Sequence, residues 1–135
     1  MNAGRVLRDA GLDTERLRAE LAPVDPDTIN IWPASRWLRR VWRPGIKAVT
    51  QGRLIFAHPD LLTGDRDRLS RTIVHELVHA RQFAELGYPR FMYRYLKDYL
   101  QKRVAGLTKR EAYLGNWAEM EARETTARLT SQVTR

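Results

Sequence analysis

Apolar residues recur along this chain with two periods, and the change from one to the other divides it. In residues 4–21, Val6, Leu7, Ala10, Leu17 and Leu21 fall on one side of a helix. Asp13 or Thr14 is placed to cap mid-segment, and Pro23 and Pro26 end the helical stretch. Residues 28–32 alternate apolar and polar positions, which predicts a short strand closed by Pro33. A helix over 34–42 follows, stopped by Pro44-Gly45. Residues 46–50 and 53–57 then read as two strands joined through Gln51-Gly52, a pair suited to a tight turn. Beyond Pro59 the helical period takes over: residues 69–86, 91–104, 109–114 with Thr108 as N-cap, and 117 to about 129. The pattern predicts an α+β fold, with a short antiparallel or mixed sheet in the first half packed on the helices of the second.

At 135 residues the chain fits one domain, 1–135, able to bury a core without covalent staples. Residues 1–22 form its N-terminal helical segment, either peripheral and occluding or part of the core. No apolar run approaches the roughly 20 residues that span a bilayer. The first nine residues, MNAGRVLRD, lack the apolar stretch of a signal peptide. The expectation is a cytoplasmic location, with export by a non-classical route compatible. There are no cysteines, which removes disulfides and thiolate ligands together.

The helix predicted over 69–86 carries the chain's most specific chemistry, His75-Glu76-Leu77-Val78-His79. Side chains at i and i+4 share a helix face, so both imidazoles can grip one metal ion. Glu76 then stands beside the open position, where a base can take a proton from bound water. With cysteine absent, His, Asp, Glu or water must complete the shell, and the expected ion is Zn2+.

A catalytic zinc needs a third protein ligand. The metzincin extension would need a glycine at 82 and a histidine at 85, where this chain has Gln82 and Glu85. No histidine follows His79, and His58, beside Pro59, reads as a loop histidine. An acidic ligand is left. Asp98 and Glu111 are candidates, but the densest run is Asn116-Trp117-Ala118-Glu119-Met120-Glu121-Ala122-Arg123. Glu119 and Glu121 are about 200° apart around a helix, so only one can face the metal. The small Ala122 near one turn beyond Glu119 favours a close helix crossing there and hence Glu119, with Glu121 the alternative.

The run Arg71-Thr72-Ile73-Val74-His75-Glu76-Leu77-Val78-His79-Ala80-Arg81-Gln82, followed by Asn116-x-x-Glu119-x-Glu121-Ala122, resembles a gluzincin-like family of small bacterial metallopeptidase domains. The pattern there is H-E-L-x-H-x-x-Q and later N-P-x-E-x-E-A. Within that family it resembles the metallopeptidase domains associated with extracellular contractile injection systems. It spans about half the chain, and its first motif is the more specific. It implies a small zincin-like domain that hydrolyses peptide bonds, with His75, His79 and Glu119 as zinc ligands. Glu76 would be the general base activating zinc-bound water, and a peptide or protein the substrate. It also implies that the strand over 53–57 is a sheet edge that pairs with extended substrate. Two positions depart from the pattern: Trp117 replaces proline, and Arg123 stands where related zincins carry an acid or amide supporting a ligand histidine. These departures put that support, and with it full activity, in question. An oxyanion donor could come from Tyr113, Tyr95 or Tyr99.

Charge adds a second theme. The 24 lysines and arginines outnumber the 16 acids, giving +8. Residues 36–43 interleave Arg36, Arg39, Arg40 and Arg43 with Trp37, Leu38 and Trp42. This reads as a helix with Trp37, Leu38 and Trp42 turned inward and the arginines solvated, able to bind polyanions weakly. The chain carries no recognisable nucleic-acid motif. Two further functional readings stand beside the peptidase. One is a catalytically weak or inactive zincin-fold domain that binds nucleic acid or a protein partner through its basic surface; the other is a structural metal site closed by a fourth protein ligand.

Overall fold

Short polar side chains decide where the N-terminal helical pattern breaks. The computed structural model describes residues 1–40 and 47–130. Asn2 accepts the Arg5 N–H and opens α1 (Ala3–Asp9); Asp13 accepts the N–H groups of Glu15 and Arg16 and opens α2 (Thr14–Glu20). Between them Gly11 turns the chain at φ +85°, a value that favours glycine. The single apolar stripe is therefore two helices, and Leu7, Leu17 and Leu21 lie wholly in the core. A 3-10 turn (Pro26–Thr28) leads into β1 (Asn30–Pro33), which precedes the short α3 (Arg36–Arg40).

The turn at Gly52, φ +60°, joins β2 (Ala48–Gln51) to β3 (Leu54–Ala57), an antiparallel pair with Thr50 opposite Ile55. β1 lies parallel to β3 on the other side, Ile31 opposite Ile55, so the strand order is β1-β3-β2. The strand over 53–57 is thus central, which corrects the expectation that it forms a sheet edge. The hairpin was readable from its turn; the parallel partner, Asn30 against Leu54 and so on along the strand, is a non-local pairing with no local signal. Residues 1–3 cover the outer edge of β1 through an Asn2–Asn30 bridge, and the Ile31 N–H donates to the Met1 carbonyl at 2.6 Å. The other edge strand, β2, is the one that packs against the long motif helix.

That helix is α5 (Arg66–Leu86), reached through the short α4 (Pro59–Leu62) and begun by the Asp65 side chain accepting the Asp67 N–H. It packs on β2, α1 and two later helices, α6 (Tyr88–Val104) and α8 (Trp117–Thr130), which explains why Ile73, Val74, Leu77 and Val78 are completely buried. Ala118 and Ala122, also fully buried, let α8 come close to α5. Between α6 and α8 runs α7 (Lys109–Leu114), opened by a capping box in which Thr108 and Glu111 satisfy each other's backbone N–H. The whole is a small α+β domain.

One apolar expectation fails on the surface. Trp37 is 73% exposed rather than turned inward, because α3 is too short to present a packed face. Trp42 and Arg43 lie outside the described residues. On α6 only Phe91 is buried, while Tyr93, Leu96, Leu100 and Val104 face outward. Among the described residues, no helix is long and apolar enough to cross a membrane.

Candidate metal centre

One turn of α5 separates His75 from His79, and their rings meet edge to face with centroids 4.9 Å apart. Glu119 reaches them from α8. One carboxylate oxygen lies 3.1 Å from His75 Nε2 and the other 3.2 Å from His79 Nε2. The ligand atoms of His75, Glu76 and His79 lie within 4.8 Å of one another, a group that could hold a metal ion. Glu76 belongs to that group by distance, yet its carboxylate is engaged elsewhere; Glu119 is the acid that touches both ring nitrogens. A nitrogen and oxygen donor set without thiolates, with the two Nε2 atoms converging on one carboxylate, fits a divalent ion of the zinc type.

The remaining candidates are placed apart. Glu121 turns to the other side of α8, where its Oε1 accepts from Arg81 Nη2 and Gln82 Nε2, each at 3.1 Å. Asp98 pairs with Lys102 and accepts the Trp117 N–H, Glu111 closes its capping box, and His58 Nδ1 caps α4. His58 Nε2 also sits 3.2 Å from Arg39 Nη1, a satisfied loop histidine.

Support for the cluster comes from residues to which the sequence reading gave no role. Gln82 is buried, its Oε1 2.8 Å from His79 Nδ1, while its Nε2 donates to the Ala118 carbonyl and to Glu121. This fixes the His79 ring with Nδ1–H toward Gln82 and Nε2 toward Glu119. The histidine support that the departure at 123 put in question comes from an amide on α5 itself rather than from position 123. Arg123 instead donates to the Leu114 carbonyl. Asn116, fully buried, caps α8 by accepting the Ala118 N–H and ties it to α6 by donating to the Tyr95 carbonyl. The Asn-x-x-Glu spacing is itself a helix-start signal. Thr50 on β2 donates to Glu76 Oε2 at 2.6 Å across 26 residues of sequence, with no local signal at all.

Electrostatics follow from this packing. Burial raises the Glu76 carboxyl above the ordinary range, only partly opposed by His79, the Thr50 hydrogen bond and His75. Burial also disfavours the charged forms of His79 and Glu119, but their mutual contact outweighs it. His79 rises to about 9 through its hydrogen bond to Glu119, the Glu76 and Glu119 charges and Gln82. Glu119 falls to about 2 through its hydrogen bonds and charge pairing with His79 and His75. The Tyr113 phenol, pushed up by burial and then by the Glu119 charge, stays protonated.

Beside the cluster opens a cleft of about 980 Å³, walled by Ala48 of β2, His75 and Glu76 of α5, Tyr99 of α6, Tyr113 of α7 and Thr126 of α8. Tyr113 and Tyr99 thus face the cleft; Tyr95 is not among its walls and packs on Phe91. No family model, curated protein or solved structure matches the chain.

Proposed function

We propose that the chain is a minimal zinc-dependent peptidase, with zinc held by His75, His79 and Glu119 and with Glu76 as the general base. The observation that carries this reading is the placement of Glu76. Its carboxylate is buried, anchored by Thr50, next to the two histidines, and forms part of the wall of an open cleft. A desolvated acid beside two histidines at the mouth of a cleft is the kind of group that functional sites use. When bound, zinc supplies a Lewis acid that makes water more acidic and polarises a carbonyl.

The chain's own residues do the rest. Glu76, its carboxyl raised by burial, accepts a proton from the attacking water and hands it to the departing amine. Thr50 holds the carboxylate in place and favours its ionised form. Gln82 keeps the Nδ1 proton of His79 turned away from the metal position. Tyr113, protonated and on the cleft wall, is the phenol able to donate to a developing oxyanion. The Lys47 carbonyl accepts the His58 N–H across the hairpin, so pairing alternates and Ala48 and Thr50 turn their backbone groups outward along β2. An extended peptide added there would lie beside Glu76. Zinc analysis together with hydrolysis of a peptide library by wild type and by Glu76→Gln tests the reading. The variant should keep its metal and lose turnover.

A further inference from the structure

The charge around the cleft is one-sided. Lys47, Arg71, Lys109, Arg110 and Arg123 all line it, and the one acid on its wall is Glu76, buried and committed to Thr50. None of the five cations forms a salt bridge among the described residues, whereas Arg18, Arg81 and Lys102 elsewhere are paired with acids. Their placement tracks the metal ligands. Arg71 is one turn before His75 on α5, Arg123 is one turn after Glu119 on α8, and Lys109 and Arg110 form the first turn of α7. Lys47 immediately precedes the outward-facing backbone of β2. Five unpaired cations around one concavity focus a positive potential into it.

From this, and resting on the peptidase reading, we propose that the cleft selects acidic peptides: extended segments with aspartate or glutamate side chains flanking the bond presented to Glu76. The backbone of β2 takes the main chain, and the cations on α5, α7 and α8 take the carboxylates. A single exposed ion pair contributes at most a few-fold, so selection has to come from the set. A peptide is favoured over a nucleic acid because the cleft borders a strand edge, whose repeating N–H and C=O groups match the spacing of an extended peptide main chain.

The test uses the zinc-loaded full chain and matched quenched-fluorescent peptides that share one core and differ only in flanking Glu, Gln or Lys. The Glu peptides should be cleaved with kcat/KM on the order of 10-fold above the Gln peptides, a preference that shrinks as salt rises. The triple variant Arg71→Glu/Lys109→Glu/Arg110→Glu should reverse the order, and the milder Arg71→Gln and Arg110→Gln should each weaken it. All these side chains are exposed, and melting curves verify folding. Cleavage indifferent to peptide charge, or a preference unchanged by the reversal, overturns the proposal and leaves the peptidase reading intact. Anisotropy of a labelled acidic peptide separates the converse. Binding that the triple variant abolishes, without turnover of any peptide, supports the basic, acidic-peptide-binding cleft and removes the peptidase reading. Tighter binding of a single-stranded oligonucleotide of equal charge would overturn the choice of peptide.

Discussion

The two histidines of the cluster occupy opposite kinds of surroundings. His79 faces the interior, with 11% of its side chain exposed, locked by Gln82, which is held in turn by Ala118 and Glu121. His75, with 24% exposed, opens on the cleft and has Glu119 as its side-chain hydrogen-bond partner. One side is built to hold and the other to admit. The exposure of His75 leaves the cluster open to the cleft, the side from which water and a substrate carbonyl would reach a bound metal under the proposed reading.

Breaking the shared element should have the largest effect. Glu119→Ala removes the carboxylate common to both halves, and zinc affinity should fall by more than about 100-fold, beyond the usual loss of a supporting residue. Competition titration with a chelator measures it. Gln82→Met attacks only the anchored side. Affinity should fall about 10-fold to 100-fold while the fold survives, because Met fills similar volume. An unchanged affinity would mean that the His79 ring needs no anchor. Leu77→Ala, in the core beneath the site, should cost about 2–5 kcal/mol in chemical denaturation and reach the metal only through stability.

The metal-free protein sharpens the comparison through its protons. His79 has a raised value, about 9 against an unfolded 6.5. Its contact with Glu119 therefore stabilises the fold fully below about pH 6.5 and is lost as pH rises toward 9. Glu119 is depressed to about 2 from 4.5, so its contribution is present above 4.5 and lost as pH falls toward 2. Denaturation of the chelated protein should show both limbs. Near neutral pH zinc must also expel the His79 proton, and calorimetry in buffers of different ionisation enthalpy should register its release. A milder change concerns the base. Thr50→Val removes the hydrogen bond favouring ionised Glu76, so the acidic limb of the kcat/KM profile should move to higher pH.

Much of this was legible in residue order. The capping side chains of α7 and the Gly52 turn mark their elements locally, so α7 lies where the pattern put it, and β2 and β3 within two residues of it. The i, i+4 spacing put both imidazoles on one face; the angular separation of Glu119 from Glu121 allowed only one acid to meet them, and the small Ala122 pointed to Glu119. What the sequence could not carry were contacts across topology. Thr50 meets Glu76 only because β2 packs on α5. β3 is central only because β1 adds beside it, and Gln82 is a brace only because α8 crosses at Ala118. Trp37 misled, because an apolar residue between arginines says nothing about whether a five-residue helix has anything to pack against.

The most direct measurement compares wild type with Glu76→Gln for zinc content and peptide hydrolysis on the same preparations. The account predicts about one zinc per chain in both, with hydrolysis reduced at least 100-fold or so in the variant, the scale of a lost general base. Hydrolysis by Glu76→Gln at the wild-type rate, with zinc retained, would contradict it.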